Sequence, residues 1–315
     1  MIAPTRGDVL EASERIAGLV ERTPLLEGEV KGVRVWLKCE CLQTGGAFKL
    51  RGATNRLLQL SPEERGRGVV AFSSGNHARG VAIAARRLGM RAIIVMPSDA
   101  PRVKVDGTRG EGAEIIFYDR RGESREEIAG RISQETGAAV VPSFDDPAIV
   151  AGQGTAGLEI AEQLGRAPKR IVVPCGGGGL ASGIALAVPE AEIVVVEPEG
   201  WDDMARSLEL GEIVPVEADA PDTFCDAIMT PRVSPITFGI LDERHARALS
   251  VSDADVADAI RFAWGKHGLV VEPGAAVALA ALVSGKLEPL EDTVAVVSGG
   301  NIDPALHARI IAEAA

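Results

Sequence analysis

The sequence predicts an α/β protein with parallel sheets, on three observations. Short apolar runs bounded by Gly and Pro alternate with longer segments of helical period along most of the chain. Three polar or glycine-rich turns fall directly after such runs, where an open α/β sheet places its ligands. A chain of 315 residues, 46% hydrophobic and 25% charged, also has enough apolar material for two domains.

The elements follow in order. Residues 7–20 alternate as an amphipathic helix, and 33–40 read as a strand. The stretch Thr44-Gly45-Gly46-Ala47-Phe48-Lys49-Leu50-Arg51-Gly52-Ala53 opens a helix that continues through Leu58. Strands are expected at 68–72, 91–96, 113–118 and 138–141, with helices over 77–88, 100–111 and 124–136 between them and a long helix over 148–164. A strand at 170–174, a glycine run, a short helix and a strand at 192–197 come next. After an irregular stretch over 211–235, helices read at 252–266 and 275–283, a strand at 293–297 and a last helix from Pro304. Strands alternating with helices imply parallel sheets covered on both faces. The βα units over 61–145 read as a small domain inserted into a larger, discontinuous one made of 1–60 and 146–315.

Composition removes several function classes. A net charge of −12 and 3% aromatic residues argue against a nucleic-acid partner. No stretch reaches the ~18 consecutive apolar residues of a membrane span, and the N-terminus has no apolar segment of signal type. Four cysteines in a chain of this length do not suggest a disulfide framework. Cys39 and Cys41 form a C-x-C pair, but no second pair or His cluster completes a zinc site, so they read as small core residues of a strand. The expectation is a soluble cytoplasmic protein whose partner is a small molecule.

Four loops carry the chemistry. Lys49 stands between Phe48 and Leu50 just after two glycines. A lysine held against apolar neighbours loses solvation of its charged form, its pKa falls, and it becomes a usable amine nucleophile or base. That is what a Schiff base to a carbonyl cofactor requires. Ser73-Ser74-Gly75-Asn76-His77 follows a strand and opens a helix, so hydroxyls, an amide and helix-start N–H groups converge where an anionic group could sit; a plain capping turn would use the same residues. Pro174-Cys175-Gly176-Gly177-Gly178-Gly179-Leu180 exposes backbone N–H groups with no side chain in the way, which suits a phosphate. The same run fits a dinucleotide fingerprint, with Gly176, Gly178 and Ala181 in register and Glu197 ending the next strand. Ser298-Gly299-Gly300-Asn301 follows the last strand, where a serine could donate to a ring nitrogen.

Together these four motifs resemble the fold-type II pyridoxal-phosphate (PLP) enzymes, and within them the threonine/serine dehydratase and serine racemase group. The likeness runs from about residue 20 to 310 and includes Asp145-Asp146-Pro147, Gly152-Gln153-Gly154-Thr155 and Glu272-Pro273-Gly274. A dinucleotide site explains only one motif of the four. The resemblance implies a tryptophan synthase β-like fold, two parallel-sheet α/β domains with the cofactor between them, and a homodimer. It implies that Lys49 forms the Schiff base with PLP, with Phe48 against the pyridine face. Gly176, Gly177, Gly178 and Gly179 would cradle the phosphate, Asn76 would bond the ring hydroxyl, and Ser298 would face the ring nitrogen. A serine cannot hold a proton on that nitrogen as a carboxylate would, so the ring is a weaker electron sink and elimination is favoured over transamination. Ser73, Ser74, Asn76 and His77 would grip the substrate carboxylate, and Arg125 matches a substrate-side arginine. The implied reaction is loss of water from an L-hydroxy amino acid. Lys49 takes the Cα proton, the β-hydroxyl leaves, and the product hydrolyses to a 2-oxo acid and ammonia. Ser74 holds the place of the second acid/base that a racemase needs. Glu197, Trp201 and Asp203 match a metal pattern of two carboxylates and a backbone carbonyl, suited to Mg²⁺ or Ca²⁺.

The sequence also departs from the family pattern. Arg79 stands where glutamine is more usual, and Cys225-Asp226-Ala227 replaces Ala-Asp-Gly near the substrate pocket, followed by Ile228-Met229-Thr230-Pro231-Arg232. These positions shape side-chain selection. Threonine or serine is the first expectation, and racemisation or dehydration of 3-hydroxyaspartate is the alternative. The chain ends soon after Ser298, so the regulatory domain of biosynthetic threonine dehydratases, and its isoleucine feedback, are not expected.

Overall fold

The computed structural model describes residues 2–100 and 102–313. Thr5 and Asp8 form a capping box that starts α1 (Arg6–Ile16), and β1 (Leu25–Val30) and β2 (Val33–Cys39) pair as an antiparallel hairpin. A 3₁₀ turn at Thr44–Gly46, with Gly45 at φ 81°, delivers the chain to α2 (Lys49–Leu58). There follow α3 (Pro62–Arg67), β3 (Val69–Phe72), α4 (Asn76–Arg87), β4 (Ala92–Pro97), α5 (Arg102–Gly110), β5 (Glu114–Tyr118), α6 (Arg125–Thr136) and β6 (Ala139–Val140). The Asp146 carboxylate accepts from the N–H groups of Ala148 and Ile149 and so caps α7 (Pro147–Leu164). Next come β7 (Arg170–Pro174), α8 (Gly179–Ala187), β8 (Glu192–Pro198) and α9 (Asp203–Leu210). The chain closes with α10 (Pro235–Glu243), β9 (Arg247–Val251), α11 (Asp253–His267), α12 (Pro273–Ser284), β10 (Thr293–Val297) and α13 (Pro304–Ala312).

The strands form two sheets. One has the order β1-β2-β10-β7-β8-β9, parallel apart from the β1–β2 pair; the other has the order β5-β4-β3-β6 and is parallel throughout. Alternation puts successive residues on opposite faces, and both faces are covered. Along the middle of the first sheet Val172, Val194 and Val196 join one core, while Ile171, Val173 and Val195 join the other. In the second sheet Val69 and Ala71 face one core and Val70 its opposite. This is the two-sheet α/β architecture that the sequence predicts.

Five elements escape the sequence reading: β1, α3, α9, α10 and β9. Helix α3 buries none of its residues, so it has no apolar face to betray it and rests on the Ser61–Glu64 capping box and Pro62. Strand β1 carries two glutamates and a glycine at the sheet edge, and β9 at the opposite edge buries only Val251. Helix α1 ends at Ile16 rather than running to residue 20. Among the described residues no helix is long and apolar enough to cross a membrane. Cys39 and Cys41 are buried and unpaired, in or just after β2, as small core residues should be.

Candidate active site

Three loops leave the carboxyl ends of parallel strands toward one cavity of about 1240 Å³. Ser73–Asn76 follows β3 in the second sheet, while the glycine run follows β7 and Ser298 follows β10, neighbours in the first. Lys49 reaches the same cavity from the start of α2. Its loop is stitched to the one after β10 by a bridge between Ala47 and Gly299, by the Phe48 N–H to the Ser298 carbonyl (3.1 Å) and by the Gly300 N–H to the Gly46 carbonyl (2.8 Å).

The Lys49 ammonium donates to the Ser143 carbonyl at 2.9 Å and lies 5.0 Å from the centre of the Phe48 ring. Among the described residues it has no carboxylate partner. Burial alone pulls its pKa down to about 8. A neutral amine is thus within reach at mildly alkaline pH, in the state a carbonyl would trap.

The glycine run cannot carry side chains. A Cβ on Gly177 would lie 2.3 Å from the Phe144 ring and one on Gly179 3.0 Å from the Phe144 Cβ, while Gly178 adopts φ 82° as the N-cap of α8. The N–H groups of Gly176, Gly177 and Gly178 form no backbone hydrogen bond among the described residues. Free amides ahead of a helix N-terminus fit a phosphate. The cavity walls therefore suit PLP at both ends: an amine for the aldehyde and a backbone cradle for the phosphate.

The serine turn is less uniform. Ser73 Oγ accepts from the Gly75 N–H at 3.2 Å, whereas the Ser74 hydroxyl lines the cavity with no hydrogen bond among the described residues. Asn76 donates to a Glu272 carboxylate oxygen at 2.5 Å. His77 lines the cavity as a buried, neutral ring. Its Nε2 lies 2.8 Å from the Val141 carbonyl and so donates to it, and burial, with Lys49 nearby, depresses its pKa to about 3. A buried neutral ring offers a carboxylate no positive charge, and only its place on the cavity wall fits the expected role. Arg125 also lines the cavity, over the Phe72 ring at 5.5 Å and paired with Glu126 at 2.8 Å. Ser298 is buried on the same wall.

The expected metal residues form a separate group. The Glu197 carboxylate accepts from the N–H groups of Met204 (3.0 Å) and Ala205 (2.9 Å), capping α9. Burial, with the Asp203 charge beside it, pushes Glu197 well above the usual carboxylate range, and burial raises Asp203 to about 7. Asp203 Oδ2 is buried with no partner. Trp201 donates its indole N–H to the Pro221 carbonyl at 2.8 Å. Among the described residues no three His, Cys, Asp or Glu side chains gather as a metal cluster. Two carboxylates with an orphaned oxygen nevertheless fit a cation completed by main-chain oxygen and water.

Sequence reasoning left several cavity residues without a role. Ser143 and Phe144, which hold Lys49 and back the glycine run, sit on an irregular loop with no local signature. Glu272 is 4% exposed and its pKa is pushed up to about 7 by burial. An acid directly before the N1 proline of a helix is a signal that could have singled it out.

Comparison with known proteins agrees with this geometry. The chain matches the family described as pyridoxal-phosphate dependent enzyme over residues 16–299. It is 42% identical to the L-threo-3-hydroxyaspartate ammonia-lyase of Saccharomyces cerevisiae, covering 99% of this chain and 97% of that one. It is 39% identical to the serine racemase of Schizosaccharomyces pombe, covering 99% of each. The crystal structure of a threonine deaminase from T.th. superposes with a TM-score of 0.87 at 42% identity, over 95% of this chain and 99% of that one.

Proposed function

The chain belongs to the fold-type II pyridoxal-phosphate dependent enzymes, and from that premise we propose that it is an ammonia-lyase for L-β-hydroxy amino acids that prefers 3-hydroxyaspartate. This moves a substrate that the sequence alone ranks as an alternative ahead of threonine and serine. One observation carries the preference. Besides Lys49 the cavity is lined by Lys104, Arg120, Arg125 and Arg232. The first three pair with Asp226, Asp99 and Glu126, whereas Arg232 has no carboxylate partner among the described residues. An exposed, unpaired guanidinium at the cavity suits the second carboxylate of a dicarboxylic substrate. The names of relatives such as the yeast enzyme agree with it.

Bound, PLP supplies an aldehyde for an amine and a ring that takes up the electron pair left when the Cα proton departs. Gly176, Gly177, Gly178 and Gly179 would hold its phosphate, Phe48 would pack against its ring, Asn76 would bond its hydroxyl and Ser298 would serve its ring nitrogen. Ser73, Ser74, Asn76 and the main chain at His77 hold the α-carboxylate, with Arg125 beside them. Lys49 takes the Cα proton on its Nζ, a base whose burial suits the task near neutral pH. Residues 61–145 act as the small domain, 1–60 and 146–315 as the large one, and the chain works as a homodimer. Mg²⁺ or Ca²⁺ at Glu197, Asp203 and the Trp201 carbonyl stabilises the start of α9 and stands outside the chemistry.

A second reading, racemisation, rests on Ser74, whose uncommitted hydroxyl lines the same cavity as Lys49 from the other sheet. One assay separates the two. Purified protein with PLP and Mg²⁺ is given L-threo-3-hydroxyaspartate, L-threonine and L-serine, and 2-oxo acid, ammonia and D-amino acid are measured. Oxo acid from hydroxyaspartate in excess of that from threonine supports the lyase, whereas D-serine in excess of pyruvate supports the racemase. Arg232→Ala should lower kcat/KM for hydroxyaspartate about tenfold to a hundredfold and leave threonine nearly unchanged. Equal losses on both substrates would remove Arg232 from specificity.

A further inference from the structure

Arg79, on the first turns of α4, is the departure in the serine-turn motif that the proposed reaction leaves unexplained. Its position is not a comfortable one. The guanidinium is half-buried and its Nε is buried with no hydrogen-bond partner, a cost that a neutral side chain would not bring.

What it does make is the first link of a directed row. Arg79 Nη1 donates to Asn301 Oδ1 at 3.2 Å. Asn301 Nδ2 donates to Asn76 Oδ1 and to the Gly45 carbonyl, both at 2.8 Å. Asn76 Nδ2 then donates to Glu272 Oε1 at 2.5 Å. The fit is close enough to demand glycines alongside. A Cβ on Gly46 would lie 2.4 Å from Asn301 Oδ1, and one on Gly299 would lie 1.9 Å from Glu272 Oε1. Asn76 and Glu272 also form the wall between the main cavity and a smaller one of about 110 Å³ that Arg79 and Asn301 line.

An amide has the same shape whichever way it is turned, so a row of amides can run in either direction unless its ends forbid one. Here the Arg79 end does. A guanidinium only donates. Glu272 agrees with that sense in its ionised form, which only accepts and which prevails above about pH 7. The Gly45 carbonyl, an acceptor, enforces the same sense at Asn301. A glutamine at 79 has a donor and an acceptor, and would leave the sense of the row to the Gly45 carbonyl alone at that end.

We infer that Arg79 is a positioning residue for the cofactor pocket: acting through Asn301, it turns the Asn76 amide so that its NH₂ group, and never its carbonyl, faces the cofactor. One N–H of that group goes to Glu272 and the other is left for the ring oxygen. The inference rests on the assignment of Asn76 to the PLP hydroxyl made above.

The test compares apoprotein titrated with PLP, followed by fluorescence, and the pH midpoint of the holoenzyme's visible absorbance, across variants. Arg79→Leu should weaken PLP binding about tenfold and shift that midpoint. Arg79→Lys, still a donor with no acceptor, should stay within about threefold of the parent. Asn301→Asp, which sets acceptors against both Asn76 Oδ1 and Gly45, should do at least as much damage as Arg79→Leu and serves if that variant does not fold. Unchanged affinity and midpoint in Arg79→Leu and Asn301→Asp would overturn the inference. So would equal losses in Arg79→Leu and Arg79→Lys, which would mark packing rather than donor identity. If the parent binds PLP but Asn76→Ala keeps its affinity and midpoint, it is the assignment of Asn76 that fails, and the row loses its purpose.

Discussion

Two lysines a short way apart in the sequence are treated in opposite ways. Lys38, in β2, has no exposed side-chain surface and is fully answered. Its ammonium donates to Glu159 at 2.5 Å, to the Thr23 carbonyl at 2.9 Å and to Gln163 at 3.0 Å. Arg51 joins the same cluster, bonding Glu40 at 2.8 Å and Glu159 at 2.6 Å, with Glu40 also unexposed. Burial lowers the Lys38 pKa, and the Glu159 and Glu40 charges pull it back. Lys49, at the head of α2, has a single carbonyl and an aromatic face. The first lysine is tied into a neutral network that joins β2, α2 and α7. The second is left able to lose its proton. A buried charge with its counter-charges is architecture, while one without them is available for chemistry.

The largest effect expected from this contrast is on activity. Lys49→Ala removes both the amine and the base, and should cut turnover by about 10⁴-fold and abolish the visible absorbance of a lysine-bound cofactor. The fold should not suffer. In the folded protein Lys49 holds its proton less tightly than in the unfolded chain, so between about pH 8 and its ordinary value the unfolded state binds more protons. Its contribution to stability is therefore unfavourable at neutral pH and is relieved as pH rises through that window. A thermal melt of the Lys49→Ala apoprotein at pH 7 should match or exceed the parent. A clear loss of stability would mean that Lys49 is structural after all.

The opposite result is expected at the other lysine. Glu159→Gln leaves Lys38 and Arg51 buried beside a neutral amide, and breaking a buried pair from one side typically costs about 3–5 kcal/mol. Urea denaturation should show that loss, with the remaining folded protein keeping its absorbance spectrum. A loss of the spectrum out of proportion to unfolding would tie the network to the chemistry.

The same contrast marks what could be read from sequence. The Lys49 loop, the two glycine-bearing turns and the serine turn announce themselves, because each is a local string whose residues are placed by one strand end and one helix start. The parallel α/β architecture is likewise carried by short-range periodicity. The Lys38 network is not legible. Its members come from Thr23, β2, α2 and α7, and only folding brings Glu159 next to Lys38. The row from Arg79 to Glu272 is hidden for the same reason, with Asn76 and Asn301 joined across 225 positions. Two of the elements missed, α3 and β9, have a weak apolar pattern because they bury little. His77 shows the limit from the other side. The string places it at the cavity, but says nothing of the hydrogen bond its ring makes to Val141, just past another strand.

A smaller effect separates the two lysines by cation binding elsewhere. If the Glu197–Asp203 site holds Mg²⁺ or Ca²⁺, saturating ion should raise the melting temperature, a gain of about 2.7 kcal/mol at a hundred times the dissociation constant. Asp203→Asn should remove that gain while the Lys49 absorbance persists. No shift with either ion in the parent would dismiss the site.

The smallest effect concerns the ring beneath Lys49, and it tests whether the lysine is as unassisted as the contrast requires. The Phe48 face, 5.0 Å from Nζ, favours the charged form alongside the Ser143 carbonyl, since a cation over an aromatic ring gains about 0.5–1 kcal/mol. Phe48→Leu keeps the site apolar and deletes that attraction. The pKa should therefore fall further, by roughly half a unit. In apoprotein, the rate at which a small aldehyde or PLP captures Lys49 should rise with pH to a plateau. Its midpoint should be near the parent's value of about 8 and lower in Phe48→Leu. A higher midpoint in the variant would mean that leucine lets water in. Desolvation by the Phe48 ring, more than its π face, would then be what separates Lys49 from Lys38.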